Sequence, residues 1–293
     1  MDTFSFWQVF DKEMKNGVGA GPGNILKQVE DLAVHVSKNI ILPHFGSVYE
    51  TQKNDGSLLT EIDIQAHTEL TKKLIHIIDL PVLSEELPGS EQQAILDAEC
   101  PSYWCIDPID GTSNYVAGIP YWCVSIALII DGQIELGVVY DANRNECFSA
   151  TANGSATLNR RALSVNDKKK PITELKDCMA MIDFKRLQPA IAQNLVVNQP
   201  YRSQRSFGAS ALDLCWIAAQ RCHVYLHGQQ KLWDHAAGLL ILKKAGAMVE
   251  TFDGEDVFQN DLHFKSILAA STEDLMDKWK TYFSEIKDNS SAN

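Results

Sequence analysis

Two aspartates three residues apart end a short apolar stretch, WCIDPIDGT, at residues 104–112. Asp107 and Asp110 each raise the cost of ionising the other, so a centre of high positive charge between them would explain the pair. Carboxylate oxygens are the ligands that Mg²⁺ prefers, and Pro108 stiffens the chain between the two side chains. The segment therefore indicates a divalent-metal site.

Three more carboxylates stand at the end of an apolar strand or the beginning of a helix. They are Asp63, Glu85 and Asp234. Sheets with helices on their faces gather such ends at one edge, where ligand sites form. Two ions about 3.5–4 Å apart can activate a water and stabilise a leaving oxygen. The acidic set thus predicts metal-dependent hydrolysis of a phosphate ester.

Gly111 and Thr112 add features that suit a phosphate. Glycine lets a backbone approach a ligand closely, and a helix that begins near Thr112 offers N–H groups to an anion. The Thr112 hydroxyl is a candidate for holding the attacking water. Each motif alone has an ordinary explanation as a turn, a solvated acid pair or a helix cap. Only the combination favours a catalytic site.

Hydrophobic periodicity predicts the elements that position these residues. Pro43 would end the first helix, Thr60 would cap the second, Asp131-Gly132 would form a hairpin turn and Gly246 would terminate a late helix. The predicted helices cover about 24–42, a stretch after Thr60, 189–197, 209–220 and 234–245. The predicted strands are PVLSEE, YWCIDPIDGT, several consecutive strands over 122–151, CMAMID, CHVYLH and AMVETF.

Composition and charge restrict the class of protein. The chain has 293 residues, 45% of them hydrophobic, and a net charge of −12, which argues against nucleic-acid or anionic-membrane partners. Seven cysteines without a C-x-x-C pair predict reduced core thiols. The first residues lack a signal-peptide core and no stretch is long enough to span a bilayer, so we expect a cytoplasmic location.

Three segments are expected along the chain. They are an N-terminal extension over residues 1–23, a metal-binding α+β subdomain over 24–170 and a C-terminal α/β subdomain over 171–293, with the two subdomains forming one structural unit. The basic run 168–170, followed by a proline, suggests the boundary between the subdomains. The last residues, DNSSAN, are polar and are expected to fray.

Two signatures, WCIDPIDGTSNY and WDHAAG, make the chain resemble the inositol monophosphatase family of Mg²⁺-dependent, lithium-sensitive phosphatases. The segments KNDGSLLTEID and SEE stand in the matching order, so the resemblance covers about residues 24–270. It implies an α/β (α+β) fold, a layered αβαβα sandwich of the inositol monophosphatase or fructose-1,6-bisphosphatase type. It also implies a homodimer, two Mg²⁺ ions with a weaker third, and a small phosphorylated substrate.

The resemblance further assigns a role to each site residue. Glu85, Asp107 and the Ile109 carbonyl would bind the first ion; Asp107, Asp110 and Asp234 would bind the second. Glu85, Thr112 and Asp63 would orient the water. The remaining assignments are phosphate binding by the Gly111 and Thr112 amides, substrate contacts by Asp110, Asp234, Gly208, Ala209, Ser210 and His227, and near-site positions for Lys53 and Glu86.

One departure from the family pattern concerns substrate choice. Members often carry a glutamate seven residues before the aspartate of the second signature, where it contacts inositol hydroxyls; here that residue is His227. Inositol monophosphate is the leading substrate. A 3′(2′),5′-bisphosphate nucleotide, fructose bisphosphate or histidinol phosphate remains as an alternative. A binding protein that docks on a partner such as the transcription machinery ranks lower, because all the expected ligands are intact.

Overall fold

The structure is a computed structural model that describes residues 22–47, 50–52, 58–97, 101–166 and 172–291. Residues 1–21, Lys53, Cys100 and the basic run 168–170 lie outside these ranges. The expected N-terminal extension and the subdomain boundary near residue 170 therefore stay predictions. Within the described ranges the chain forms two multi-stranded sheets and α-helices, which confirms the predicted mixed α/β class.

The first large sheet has seven strands in the order β3-β4-β5-β6-β7-β8-β9, and only β3 and β4 are parallel. All eight residues of β4 are buried, as expected for a strand in a sheet covered on both faces. The bounds are β3 Val82–Ser84, β4 Tyr103–Asp110, β5 Cys123–Ile130, β6 Gln133–Asp141, β7 Glu146–Thr151, β8 Thr157–Leu158 and β9 Arg161–Ala162.

The second sheet has five strands in the order β11-β10-β12-β14-β13. Strand β10 pairs in parallel with β11 and β12, whereas β14 is antiparallel to β12 and β13. A short antiparallel pair, β1 Glu50–Gln52 with β2 Leu58–Thr60, precedes both large sheets. The bounds are β10 Met179–Asp183, β11 Ser203–Arg205, β12 Val224–Gln230, β13 Met248–Glu250 and β14 Lys265–Ala270.

Helices cover the outer faces of both sheets and fill the space between them. Helices α1 and α2 pack on the seven-stranded sheet, α6 and α7 lie between the sheets, and α5 and α8 pack on the five-stranded sheet. This is the αβαβα order that the family resemblance implies. The bounds are α1 Pro22–Val36, α2 Glu61–Ile77, α3 Gly89–Leu96, α4 Thr112–Ala117, α5 Pro189–Val197, α6 Ser210–Ala218, α7 Leu232–Lys244 and α8 Glu273–Ser291.

Strand β4 shows how the sequence builds these layers. Side chains alternate between the two faces of a strand. Trp104 and Ile106 therefore join the core beneath α1 and α2, whereas Tyr103 and Cys105 join the core shared with α6 and α7. Because that second core also contains Tyr225 of β12, it connects the two sheets directly.

The first helix differs from its prediction. Its α-helical part ends at Val36 and continues as a π-helical turn over Ser37–Ile41 and a 3₁₀ turn over Leu42–His44. Pro43 lies inside that last turn, near its beginning, where the missing N–H leaves no bond unmade. The predicted helix over about 24–42 is therefore present with a π-helical end, and Pro43 lies within the following 3₁₀ turn, so the chain leaves helical geometry one residue after Pro43.

Several local predictions are confirmed. Thr60 caps α2 through a reciprocal capping box with Asp63, and both Asp131 and Gly132 have positive φ in the β5–β6 hairpin. The six cysteines within the described ranges are free and buried. The sequence analysis missed two helices, α3 and α8, and the strands β1, β2, β8, β9, β11 and β14. Residues 288–291, which were expected to fray, belong to α8. No helix in the described ranges has the length and apolarity needed to cross a membrane.

Candidate active site

An extra residue in β4 turns two aspartates toward one side of the sheet. Asp107 is opposite Ser125 and Asp110 is opposite Cys123, so β4 uses one more residue than β5 between the same pairs. In a regular strand, residues three apart point to opposite faces, and the bulge removes that opposition. Both aspartates accordingly line the same cavity.

Glu85 and Asp234 reach this cavity from two other elements. Glu85 follows β3, whose last residue Ser84 pairs with Ile106, so Glu85 comes next to Asp107 along parallel strands. Asp234 lies in the first turn of α7 and accepts a hydrogen bond from the Lys231 N–H at 2.8 Å. The cavity has a volume of about 910 Å³, and these four carboxylates line its acidic part.

The four carboxylates repel one another strongly. Burial raises the pKa of Asp107, and the charges of Glu85, Asp110 and Asp234 raise it further. Burial raises the pKa of Asp110 to about 7, although the Ala211 and Ser210 N–H groups oppose the shift. The pKa of Asp234 is also raised, first by burial and then by Asp110 and Glu85. Such mutual repulsion is relieved by a cation placed among the acids.

The donor set fits Mg²⁺ by its chemistry. All four side chains offer hard oxygen atoms, and the cavity leaves room for the waters that this ion retains. No group of three or more His, Cys, Asp or Glu side chains within the described ranges already has metal-binding spacing. Asp110 instead accepts from the N–H groups of Ser210 at 3.0 Å and Ala211 at 2.7 Å. Oδ2 also accepts from the Cys123 thiol at 3.5 Å, whereas Oδ1, which accepts from Ser210, retains a lone pair for a metal.

The loop after β4 brings the predicted phosphate-binding residues to the cavity wall. Gly111 has φ of 95°, a conformation that favours glycine, and it precedes the first turn of α4. The Thr112 hydroxyl donates to the Ile109 carbonyl at 3.0 Å, and the Ile109 N–H donates to Asp107 at 3.0 Å. Gly111, Thr112 and Ile109 all line the cavity.

Asp63 is placed differently from the other acids. It is buried in the first turn of α2, where one oxygen accepts from the Thr60 N–H at 2.7 Å and the Thr60 hydroxyl at 2.5 Å. The described residues that line the cavity do not include Asp63. Its predicted role in orienting the water therefore stays a prediction.

The start of α6 forms another wall. Gly208 and Ser210 line the cavity, whereas Ala209 is fully buried behind them. Asp213, one turn into α6, also lines the cavity and accepts a hydrogen bond from the Tyr121 hydroxyl at 2.7 Å. Its buried carboxyl group has a raised pKa, mainly because of desolvation.

His227 faces the cavity from β12, paired with an aspartate that the sequence analysis did not select. Its Nε2 lies 3.2 Å from Oδ2 of Asp183, and its Nδ1 is 3.2 Å from the Gln229 backbone nitrogen. Because Nδ1 accepts from that N–H, Nε2 carries the ring proton and donates to Asp183. The family's glutamate is thus replaced by a hydrogen-bonded imidazole–carboxylate pair.

The sequence analysis missed several polar residues of the cavity. Asp183 ends β10, so the strand-end rule that selected Glu85 could have found it. Asp213 is flanked by leucines within the apolar run ALDLCW, and no local signal marks it. The other missed polar side chains in the lining are Gln92, Ser113, Lys185, Arg186, Ser206, Gln229 and Lys231.

Comparison with known proteins decides the family. The model of the inositol monophosphatase family matches residues 23–288. The chain belongs to the inositol monophosphatase family. This family is generally Mg²⁺-dependent and acts on phosphorylated substrates, which agrees with the acidic cavity.

Relatives of this family member carry two kinds of name. A protein named Nus factor SuhB from Haemophilus influenzae is 32% identical over 246 residues, covering 81% of this chain and 88% of the relative. An inositol-1-monophosphatase from Mesorhizobium japonicum is 31% identical over 226 residues, covering 74% and 82%. Sequence similarity therefore establishes the family and leaves the substrate open.

Solved structures of the family share the fold. The Thermotoga maritima IMPase superposes with a TM-score of 0.76 at 25% identity, covering 90% of this chain and 98% of that one. The extragenic suppressor protein suhB from Bartonella henselae gives a TM-score of 0.73 at 26% identity, covering 88% and 97%. These superpositions confirm the predicted inositol monophosphatase architecture.

Proposed function

We propose that this chain is a Mg²⁺-dependent phosphomonoesterase that hydrolyses a small phosphorylated alcohol, with inositol monophosphate as the reference substrate. The observation that carries the proposal is the meeting of Glu85, Asp107, Asp110 and Asp234 on one cavity, where each raises the cost of charging the others. A cavity of about 910 Å³ is large enough for a phosphorylated polyol together with metal ions and waters.

The chain's own oxygen atoms supply the metal ligands in this proposal. Glu85, Asp107 and the Ile109 carbonyl would hold one Mg²⁺, and Asp107 would share a second with Asp110 and Asp234. Bound Mg²⁺ polarises phosphate oxygens and makes water more nucleophilic. The extra residue in β4 supports this assignment, because it allows both aspartates of one strand to serve the same centre.

The other residues of the cavity would bind and orient the reactants. The amides of Gly111 and Thr112 would donate to phosphate oxygens, while the Thr112 hydroxyl and the Glu85 carboxylate would hold the water. Asp63 would help Thr112 and Glu85 to orient that water. In one in-line step, the bond from the water oxygen to phosphorus forms as the bond from the alcohol oxygen to phosphorus breaks. The water gives up a proton, the alcohol oxygen leaves with one, and no side chain is phosphorylated.

Phosphate release by the purified chain tests this proposal. We expect release from inositol 1-phosphate to require Mg²⁺ and to be inhibited by Li⁺. Asp110→Asn should lower kcat/KM by about a thousandfold, whereas the exposed Asp79→Asn serves as a charge-matched control and should have no effect. Near-normal turnover by Asp110→Asn, or equal turnover in EDTA, would contradict the metal assignment.

A binding role is the second candidate, and the names of the relatives favour it. Several relatives at 31–32% identity are named Nus factor SuhB, which leaves the predicted lack of a nucleic-acid partner unsupported. Asp110→Asn separates the two roles, because it removes a proposed catalytic group from inside the cavity. A cellular phenotype that survives this substitution, but is lost on deletion of the chain, would indicate a role other than hydrolysis.

A further inference from the structure

Two cations stand at the rim of the cavity, and the family signatures do not include them. Lys185 and Arg186 line the cavity, and both side chains are exposed. Neither forms an ion pair with any carboxylate in the described part of the chain. A third cation, Lys231, is already engaged with the Leu262 carbonyl at 2.9 Å and the Phe264 ring. Lys185 and Arg186 therefore remain available to a ligand.

A fixed turn presents both cations. They belong to a 3₁₀ turn, Phe184–Arg186, which Asp183 caps by accepting from the Lys185 N–H at 2.9 Å. The other oxygen of Asp183 bonds to His227. One carboxylate thus connects this turn to the imidazole that replaces the family's glutamate.

Gly228 lets the turn approach β12. A Cβ built on Gly228 would overlap the Arg186 carbonyl, so any larger residue would push the turn away. The glycine is next to His227, on the strand that carries the substrate-facing histidine. The position of the cations is therefore built into the packing of the turn and is not an accident of two long side chains.

The charge of Arg186 acts on the cavity itself. It helps to lower the pKa of Asp183, against the larger opposing effect of burial. In a chain with net charge −12, two adjacent cations with no carboxylate partner form a local site for an anion.

We infer that Lys185 and Arg186 bind a second phosphate group on the substrate's alcohol portion, so that the preferred substrate is a small bisphosphate. The inference rests on the proposed function, since the first phosphate occupies the metal site. Two neighbouring cations, one a guanidinium that can donate two parallel hydrogen bonds, suit a dianionic phosphate better than a single carboxylate. A hydroxyl-only alcohol such as inositol would leave both cations without a partner.

Matched pairs of substrates test the inference. The pairs are inositol 1-phosphate with inositol 1,4-bisphosphate, fructose 1-phosphate with fructose 1,6-bisphosphate, and adenosine 3′-phosphate with adenosine 3′,5′-bisphosphate. For at least one pair, we expect kcat/KM of the bisphosphate to exceed that of the monophosphate by about tenfold or more. Lys185→Gln/Arg186→Gln should remove that advantage and change monophosphate turnover less than about twofold.

A second double variant controls for general electrostatic steering. Lys72→Gln/Arg161→Gln also removes two exposed positive charges, at positions away from the cavity lining, and should keep the bisphosphate advantage. If Lys185→Gln/Arg186→Gln lowers kcat/KM equally for the monophosphate and the bisphosphate of a pair, the two cations only steer anions toward the cavity. That result would overturn the inference. The cations could instead bind a carboxylate. A higher kcat/KM for 2-phosphoglycerate than for glycerol 2-phosphate, with no such increase for any bisphosphate, would show this and would also overturn the inference.

Binding measurements separate this inference from the proposed function. If no compound is hydrolysed, the proposed function has failed, and calorimetric affinities of the same pairs still decide the inference. Tighter binding of a bisphosphate to the wild-type chain than to Lys185→Gln/Arg186→Gln supports the cation site. Equal affinities of the two proteins for every bisphosphate overturn it.

Discussion

The imidazole Nε2 of His227 lies 3.2 Å from Oδ2 of Asp183, and the two residues are direct partners on the parallel strands β10 and β12. This pair stands where the family's inositol phosphatases often present a glutamate. A carboxylate in place of His227 would face Asp183 at a distance where like charges repel. The local environment of this chain therefore favours histidine.

Restoring the family's residue should destabilise the chain unless the partner also changes. We expect His227→Glu to lower the free energy of unfolding by about 1–3 kcal/mol, because a hydrogen bond is replaced by repulsion. Adding Asp183→Asn should recover at least half of that loss. Urea unfolding of the two single variants and the double variant at pH 7.5 measures the coupling. If the changes in unfolding free energy of His227→Glu and Asp183→Asn simply add in the double variant, the two side chains do not interact.

The same pair predicts how stability depends on pH. Burial by itself would raise the pKa of Asp183, but the hydrogen bonds from His227 and from the Lys185 N–H hold it below its ordinary value of 3.8. A lowered folded-state pKa stabilises the fold above the unfolded value and loses that contribution as pH falls through the folded value.

Unfolding free energies of Asp183→Asn and the wild type should accordingly converge as pH falls below about 3.8. Chemical unfolding at pH 6, 4.5 and 3 measures the difference. If the difference in unfolding free energy between the two proteins instead grows toward pH 3, the pKa of Asp183 is not lowered in the folded state.

The proposed metal ligand Asp234 should destabilise the metal-free chain. The pKa of Asp234 is raised by burial, Asp110 and Glu85, so its ionised form is unfavourable without a cation. Asp234→Asn removes that charge and should raise the metal-free Tm by about 2–5 °C. It should also abolish the Mg²⁺-induced rise in Tm and lower kcat/KM by about a thousandfold.

Differential scanning calorimetry with and without Mg²⁺ provides the test of Asp234→Asn, with Asp79→Asn as the exposed control. An unchanged Mg²⁺ response in Asp234→Asn would remove this residue from the metal site. A lower metal-free Tm would show that the carboxylate mainly caps α7 through the Lys231 N–H, 2.8 Å away.

Gly228→Ala tests whether the close packing of the turn on β12 matters. The added methyl group would overlap the Arg186 carbonyl, so the turn must move. We expect unfolding to become easier by about 2–4 kcal/mol and KM to rise more than kcat falls, since the metal site is untouched. Gly89→Ala, where an added methyl group meets nothing within 4 Å, is the matched control. Wild-type stability and KM in Gly228→Ala would show that the turn has room to adjust.

The sequence by itself determined much of this protein. Alternating and helical periodicity located most of the strands and helices, because buried faces impose those periods. Thr60 and Gly246 marked the start of one helix and the end of another through local backbone chemistry. The proposed metal ligands could be selected from sequence because buried acids at strand ends are unfavourable unless they meet a cation.

Only the tertiary structure decided which of these residues meet. The capping box holds Asp63 at the start of α2, away from the described cavity lining, because a capping acid and a site acid look alike in sequence. Asp183, Lys185 and Arg186 reach the cavity through the pairing of β10 with β12 and the space left by Gly228. Such contacts join residues more than forty positions apart, and local propensity contains no information about that pairing.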